Sequence, residues 1–351
     1  GGDAFNPSSS RRIYEAKGRP SDNPLIVHIA KWEDLSALVS NIPAAAKQLA
    51  DAFWPGPLTM ILQKSDRVPD ETTGGLSTVA VRMPDHPIAL SLIEKSGGYV
   101  AAPSANTSGR PSPTLASHVL EDLDGRIDMI LDAGAVPGGI ESTIVDLTGS
   151  QPVILRPGLI PSAMIEAVLA KSDLSNQTRI QIQVDNDRKH FVSTRLRSDD
   201  DQHAASDNQP TVSDDQAPPR APGMKYRHYA PRGELTIVSG LSDQVISYIN
   251  HRVDESRAQG SKTGVLASNE SSDRYSADLV LAAGESTDGA QIAANLYRAL
   301  REFDDHDISV IFAEAFENQE LSDAIMNRLT KAAKGRRIYL QAPTQTEEET
   351  K

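Results

Sequence analysis

The stretch KGRPSDNPLIVHI, residues 17–29, takes the end of a helix into a buried strand. The preceding RRIYEAK, residues 11–17, must stop at Gly18 and Pro20, because glycine accepts the left-handed conformation that ends helices and proline cannot continue one. Lys17 and Arg19 are thereby left at the C-terminal edge with their heads free to converge. Two cations so placed could grip a triphosphate; Lys17 could equally complement the negative end of the helix dipole. In PLIVHI, the period of two puts Leu25, Val27 and Ile29 on one face and Ile26 and His28 on the other. A lone strand histidine is more often a hydrogen-bonded core residue than a ligand, so His28 is open to both readings.

The same texture of short apolar runs, turn residues and helix-like segments fills residues 1–170 and predicts one compact domain. Strands are expected at 24–29, 58–62, 78–83, 99–102, 127–131, 142–147 and 153–155, and helices at 8–16, 43–53, 87–95, 114–123 and 162–170. Residues 171–233 are different: Asp, Ser, Gln and Asn dominate, too little surface can be buried to offset the entropy of ordering, and the segment reads as a flexible acidic insert and linker. It closes with APGMKYRHYAP, residues 221–231, whose aromatic and basic composition suggests that it docks on something.

Residues 234–340 alternate strands (235–238, 263–267, 277–282, 308–313) with helices (244–257, 290–303, 322–333), which implies a mostly parallel sheet with helices on its faces. The first strand–helix turn, VSGLSD, lacks the glycine spacing of a nucleotide site. Residues 341–351 read as a disordered tail. The fold class is therefore α/β: a twisted mixed-sheet domain with helices, then a smaller α/β domain.

Composition narrows the chemistry. At 351 residues, two domains are expected. With no cysteine, disulfides, thiolate zinc sites and a cysteine nucleophile are excluded. No run of about 18 apolar residues occurs, so a cytoplasmic protein without a membrane span is expected. The net charge is −13, of which the stretch at 198–216 supplies six Asp, leaving about −7. That balance argues against a protein built chiefly to grip nucleic-acid phosphates.

Further candidates lie along the first domain. In STVAVRMP, residues 77–84, Thr78, Ala80 and Arg82 share a face; an arginine on so apolar a strand needs an anion, from a neighbouring carboxylate or a substrate. YVAAPSANTSGRPSPT, residues 99–114, runs from a strand into a loop rich in donors, among them Ser104, Asn106, Ser108 and Ser112, although Ser112 and Thr114 could instead cap a helix. GGIESTIVDL places Gly138 and Gly139 where backbone must approach something closely, with Ser142 and Thr143 at a strand entrance. ILRPG ends a strand with Arg156. Cations and hydroxyls without a Ser-His-Asp or metal-ligand set fit catalysis by positioning and charge stabilisation, with no metal held by protein side chains.

KGRPSDNPLIVHI, FWPGPLT, STVAVRMP, APSANTSG, ESTIVD and LRPG, in this order, resemble the YrdC-type threonylcarbamoyl-AMP synthase family. APGMKYRHYAP followed by an α/β domain resembles its long, two-domain form. The resemblance implies a YrdC-like catalytic domain, a Rossmann-like C-terminal domain, and synthesis of L-threonylcarbamoyl-AMP and pyrophosphate from L-threonine, bicarbonate or CO2, and ATP with Mg2+. The product would serve threonylcarbamoyladenosine formation beside the tRNA anticodon, through a downstream tRNA threonylcarbamoyl transferase complex and with a possible tRNA contact. It implies ATP binding by Lys17, Arg19, Asn23, Thr78, Ser104, Asn106, Ser112, Arg156, His228 and Tyr229, with charge stabilisation by Lys17 and Arg19. It assigns His28, Arg82, Ala102 and Ser142 to threonine. Arg227, His228 and Tyr229 would cap the nucleotide as a mobile lid.

Family members carry a basic strand and a threonine-rich segment before the position of GGDAFNPSSS, so these are expected to lie outside the present sequence and the domain at 1–170 to be N-terminally incomplete. Two other readings are an RNA-binding module without synthase activity and a carbamoyl-adenylate enzyme of hydrogenase maturation; the latter's zinc-binding portion would need the absent cysteines.

Overall fold

The computed structural model describes residues 1–170, 181–182, 219–222, 224, 229–317 and 319–340. In the first half the strands are β1 (Gly2–Asp3), β2 (Ile26–His28), β3 (Leu58–Gln63), β4 (Thr78–Arg82), β5 (Val100–Ala102), β6 (Thr143–Asp146), β7 (Val153–Arg156) and β8 (Gln181–Ile182). The helices there are α1 (Pro7–Lys17), α2 (Leu35–Leu38), α3 (Ala44–Phe53), α4 (Asp70–Thr73), α5 (Pro87–Lys95), α6 (Ala116–Leu123) and α7 (Ser162–Leu169). The second half has β9 (Glu234–Ser239), α8 (Ser242–Ala258), β10 (Thr263–Ala267), β11 (Leu279–Ala282), α9 (Gly289–Asp305), β12 (Val310–Glu314), α10 (Ser322–Ala332) and β13 (Arg337–Tyr339).

The first eight strands form one mixed sheet in the order β1-β5-β2-β4-β3-β6-β7-β8. Its strands sort their side chains as the alternation requires. Leu25, Val27, Ile29, Val79, Val81 and Met83 enter a large core with α1 and α3, whereas Ile26, Ile61, Ala80, Ile144 and Leu155 make a smaller cluster on the opposite face. That second face carries the polar residues discussed below. Ala221 and the partly buried Met224, from the start of the 221–231 motif, pack into this smaller cluster, so these two residues dock over this face.

Local signals set the helix ends. Pro7 opens α1 behind Asn6, whose side chain accepts from the Ser8 amide, and Gly18 closes it in the left-handed conformation at φ 61°. Glycine is also required where chains nearly touch. A Cβ on Gly158 would lie 2.3 Å from the Thr143 nitrogen, and one on Gly139, at φ +68°, would lie 2.1 Å from the Ala293 carbonyl oxygen.

The second half is a parallel five-stranded sheet, β11-β10-β12-β9-β13, with α9 and α10 covering one face and α8 the other. Strand–helix alternation buries such a sheet on both sides, as its apolar strands demand. It is the Rossmann-like arrangement expected.

Several expectations need correction. Residues 127–131 form no strand; Met129 and Leu131 are 70% and 50% exposed, and a short apolar run without a sheet edge to pair with does not make one. Leu35–Leu38, Asp70–Thr73 and Arg337–Tyr339 were not anticipated, each being too short to show a period. Within the segment read as a flexible linker, β8 pairs in parallel with β7. Most of 171–233 and all of 341–351 lie outside the described residues. No described helix is long and apolar enough to cross a membrane.

Candidate active site

A row of polar side chains crosses the smaller-cluster face of the first sheet. His28 stands opposite Arg82 in the parallel β2–β4 register, and Arg82 opposite Thr59 in the antiparallel β3–β4 register. The Thr59 hydroxyl lies 2.7 Å from that of Ser142, which in turn accepts from Arg156 at 3.2 Å. Arg156 also donates twice to the Ser142 carbonyl, at 3.0 and 3.2 Å, and once to the carbonyl of Pro222 at 3.3 Å. Ala102 pairs with Ile26 on the neighbouring strand, beside this row. Adjacent strands thus bring His28, Arg82, Ala102 and Ser142 together as the sequence reading grouped them.

The cations gather at the strand ends. The Lys17 ammonium reaches the loop after β5, donating to the carbonyls of Ser104, at 2.5 Å, and Asn106. Arg19 folds back on the turn before β2, donating to Asn23 Oδ1 at 2.6 Å, to the Asn23 carbonyl at 3.2 Å and to the Pro24 carbonyl at 2.9 Å. Arg82 donates through Nε to the Gly56 carbonyl at 3.0 Å, just after the cis Trp54–Pro55 bond. Lys17, Arg19 and Arg156 are only 5%, 8% and 4% exposed, yet among the described residues neither they nor Arg82 form an ion pair. Buried charge is costly unless paired, so four such cations held by neutral carbonyls form a site awaiting anions.

The electrostatics agree. Burial, then the charge of Arg19, pushes the Lys17 pKa down to about 7, with Asp122 opposing. Burial brings Arg19 down to about 10, with Arg156 adding to the fall. Burial and then Arg82 hold His28 near 4, so it is neutral at physiological pH. Arg82 is lowered by burial and by Arg156, against the pull of Asp85. Asn23 Nδ2 and His28 Nδ1 are among the buried side-chain polar atoms without a hydrogen-bond partner within the described residues.

Other candidates are placed with different duties. The Asn106 amide donates to the carbonyls of Thr107 and Arg110, so it fastens its own loop. Ser112 gives its proton to Glu141 at 2.6 Å. Thr78 starts β4, at the end opposite Arg82. Tyr229 is buried at φ 64° and stacks on Tyr297 of α9, with ring centroids 5.2 Å apart. Its phenol favours the charged forms of Arg19 and Arg156, which places it between the cations and the C-terminal domain. Arg227 and His228 lie outside the described residues.

Two contributors escaped the sequence reading. Thr59 is fully buried, and a hydroxyl between Leu58 and Met60 in an apolar strand was the available signal. Glu141 is held by Tyr297 at 3.0 Å and by Arg328 at 3.1 Å, both from the C-terminal domain. Burial alone would raise its pKa, but Arg328 and then Arg156 bring it down to about 2. Helix α9, which carries Tyr297, also contributes Arg301, which grips the Pro111 carbonyl at 2.7 Å and Asp122 at 2.7 Å. Gly138 and Gly139 therefore serve contacts within the protein, packing against Leu159 and α9.

Residues 1–158 match the Sua5, YciO and YrdC family, described as telomere recombination, and residues 160–334 match the family described as the threonylcarbamoyl-AMP synthase C-terminal domain. The threonylcarbamoyl-AMP synthase of Pyrococcus abyssi is 45% identical over 95% of this chain and 86% of its own. That of Bacillus subtilis is 44% identical over 96% of this chain and 87% of its own. The crystal structure of Pyrococcus abyssi Sua5 complexed with L-threonine superposes with a TM-score of 0.80 at 44% identity, covering 97% of this chain and 88% of that one.

Proposed function

Because this chain belongs to the threonylcarbamoyl-AMP synthase family, a family of transferases, we propose that its site joins L-threonine, bicarbonate or CO2, and MgATP into threonylcarbamoyl-AMP and pyrophosphate for tRNA modification. The observation that carries this reading is the set of four cations without ion pairs, arranged around a row of hydroxyls and a neutral histidine.

The cations divide into two groups. Arg82, flanked in register by His28 and Thr59, suits the threonine carboxylate, and a related Sua5 structure is complexed with L-threonine. Lys17, Arg19 and Arg156, with Asn23 Nδ2 as a spare donor, suit the phosphates. Mg2+ would enter with ATP, which carries phosphate oxygens of the kind this ion prefers.

The threonine amine adds to CO2, losing a proton, and gives a carbamate. A carbamate oxygen bonds to the α-phosphorus while the bond to the pyrophosphate oxygen breaks. The protein contributes by holding two anions together and by neutralising the charge that grows on the leaving pyrophosphate. Lys17 and Arg19 are placed for that second task. No side chain needs to form a covalent intermediate.

Incubating the protein with MgATP, bicarbonate and labelled threonine tests the reading. Threonylcarbamoyl-AMP and pyrophosphate should form only when all three substrates are present; ATP hydrolysis without labelled product would overturn it.

A further inference from the structure

Arg328, a fully buried residue of α10 in the C-terminal domain, reaches across to two segments of the first domain. Its Nε donates to Glu141 Oε2 at 3.1 Å, and one terminal nitrogen donates to the carbonyl of Pro157. Glu141 immediately precedes Ser142, and Pro157 immediately follows Arg156. Those inner neighbours are themselves bonded, since Arg156 donates to the Ser142 carbonyl at 3.0 and 3.2 Å. One guanidinium thus brackets the Ser142–Arg156 contact from both sides. The Glu141 carboxylate it holds also accepts from Ser112 at 2.6 Å and Tyr297 at 3.0 Å, so three groups hold it, two of them from α9 and α10.

We infer that Arg328 is a positioning residue for the nucleotide site: by holding the Glu141 carboxylate and the Pro157 carbonyl, it keeps that carboxylate off Arg156 and leaves the Arg156 guanidinium for a ligand anion. The alternative arrangement is close at hand. Glu141 lies on the residue next to Arg156's own anchor, the two charges act on each other, and they form no ion pair. Without Arg328, the buried carboxylate must find another cation, and Arg156 is the one within its reach. The C-terminal domain would then be required for nucleotide affinity without touching the nucleotide.

This inference rests on assigning Arg156 to the nucleotide, so the test uses both substrates. Arg328→Met should raise the KM for MgATP at least tenfold while the KM for threonine stays nearly unchanged. Adding Glu141→Gln, which removes the misplaced charge and keeps an acceptor for Ser112, should restore most of the loss. A merely structural Arg328 would instead raise both KM values, and Glu141→Gln would not rescue it; that result, or an unchanged MgATP KM, overturns the inference. If Arg328→Met does not fold, Arg328→Lys keeps the charge without the fork and should show a smaller rise, rescued in the same way; no rise there also overturns it. A wild-type protein that forms no product would instead sink the functional assignment.

Discussion

Lys17 and Arg19, separated by one left-handed glycine, are both buried and both bonded only to neutral oxygens, and burial, with the charge of Arg19 adding to it, brings the Lys17 pKa down to about 7. A bound triphosphate stabilises the charged ammonium, so anion binding must raise that pKa. Below pH 7 the free site is already charged. Above it, binding takes up a proton, and affinity for MgATP should fall by up to about tenfold per pH unit. Calorimetry in two buffers of different ionisation enthalpy at pH 8 should show this uptake. Lys17→Arg, whose guanidinium stays charged, should abolish it; uptake that persists in the variant would place the titrating group elsewhere.

Arg82 makes the matching prediction on the threonine side. It donates to Gly56 through Nε, leaving its terminal nitrogens for a ligand carboxylate. A hydrogen bond to a charged group contributes roughly 1.5–3 kcal/mol, so Arg82→Gln should weaken threonine binding by roughly 10- to 150-fold. Affinity for MgATP should move far less. Equal losses for both substrates would mean that Arg82 serves the sheet and not the amino acid.

Much of this was legible in the sequence because it rests on short periods and on residues with one conformational habit. Alternation in 24–29 and 78–83 put His28 on the face opposite Leu25, Val27 and Ile29 and put Arg82 on the face opposite Val79, Val81 and Met83, and Gly18 marked the end of α1. What could not be read is contact at long separation. Glu141 meets Ser112, Tyr297 and Arg328 across 29, 156 and 187 residues, and no local pattern carries that information. For the same reason Gly139 was legible as a close approach, but its partner, the α9 backbone, was not. Residues 127–131 mark the opposite failure: an apolar run has no strand unless an edge exists to receive it.

Thr59 links the two substrate regions, its hydroxyl 2.7 Å from that of Ser142 in a fully buried setting. Thr59→Val keeps the shape and removes the hydroxyl, leaving one bond of Ser142 unmade; a buried polar group so stranded costs about 1–3 kcal/mol. Thermal unfolding should report the loss, and Thr59→Ser should recover most of it. Equal stability of the valine and serine variants would show that the hydroxyl pair is inconsequential.

Gly158 tests whether the Ser142–Arg156 contact depends on backbone approach. A Cβ there would stand 2.3 Å from the Thr143 nitrogen and 2.5 Å from the Ser142 carbonyl carbon. Both are main-chain atoms at the entrance of β6, so neither can rotate aside as a side chain would. The entrance of β6 must move, and overpacking of this kind costs roughly 1–3 kcal/mol or more. Arg156 would lose its bonds to Ser142, so Gly158→Ala should lower both the unfolding temperature and the affinity for MgATP. Gly149 is the control, since its Cβ would meet nothing closer than 3.6 Å; Gly149→Ala should leave both quantities unchanged. A Gly158→Ala protein as stable as wild type, but weakened in MgATP binding, would mean that the strand shifts at little cost and that the Ser142–Arg156 geometry is set for the ligand alone. Full retention of both would show that the close approach is not needed for either.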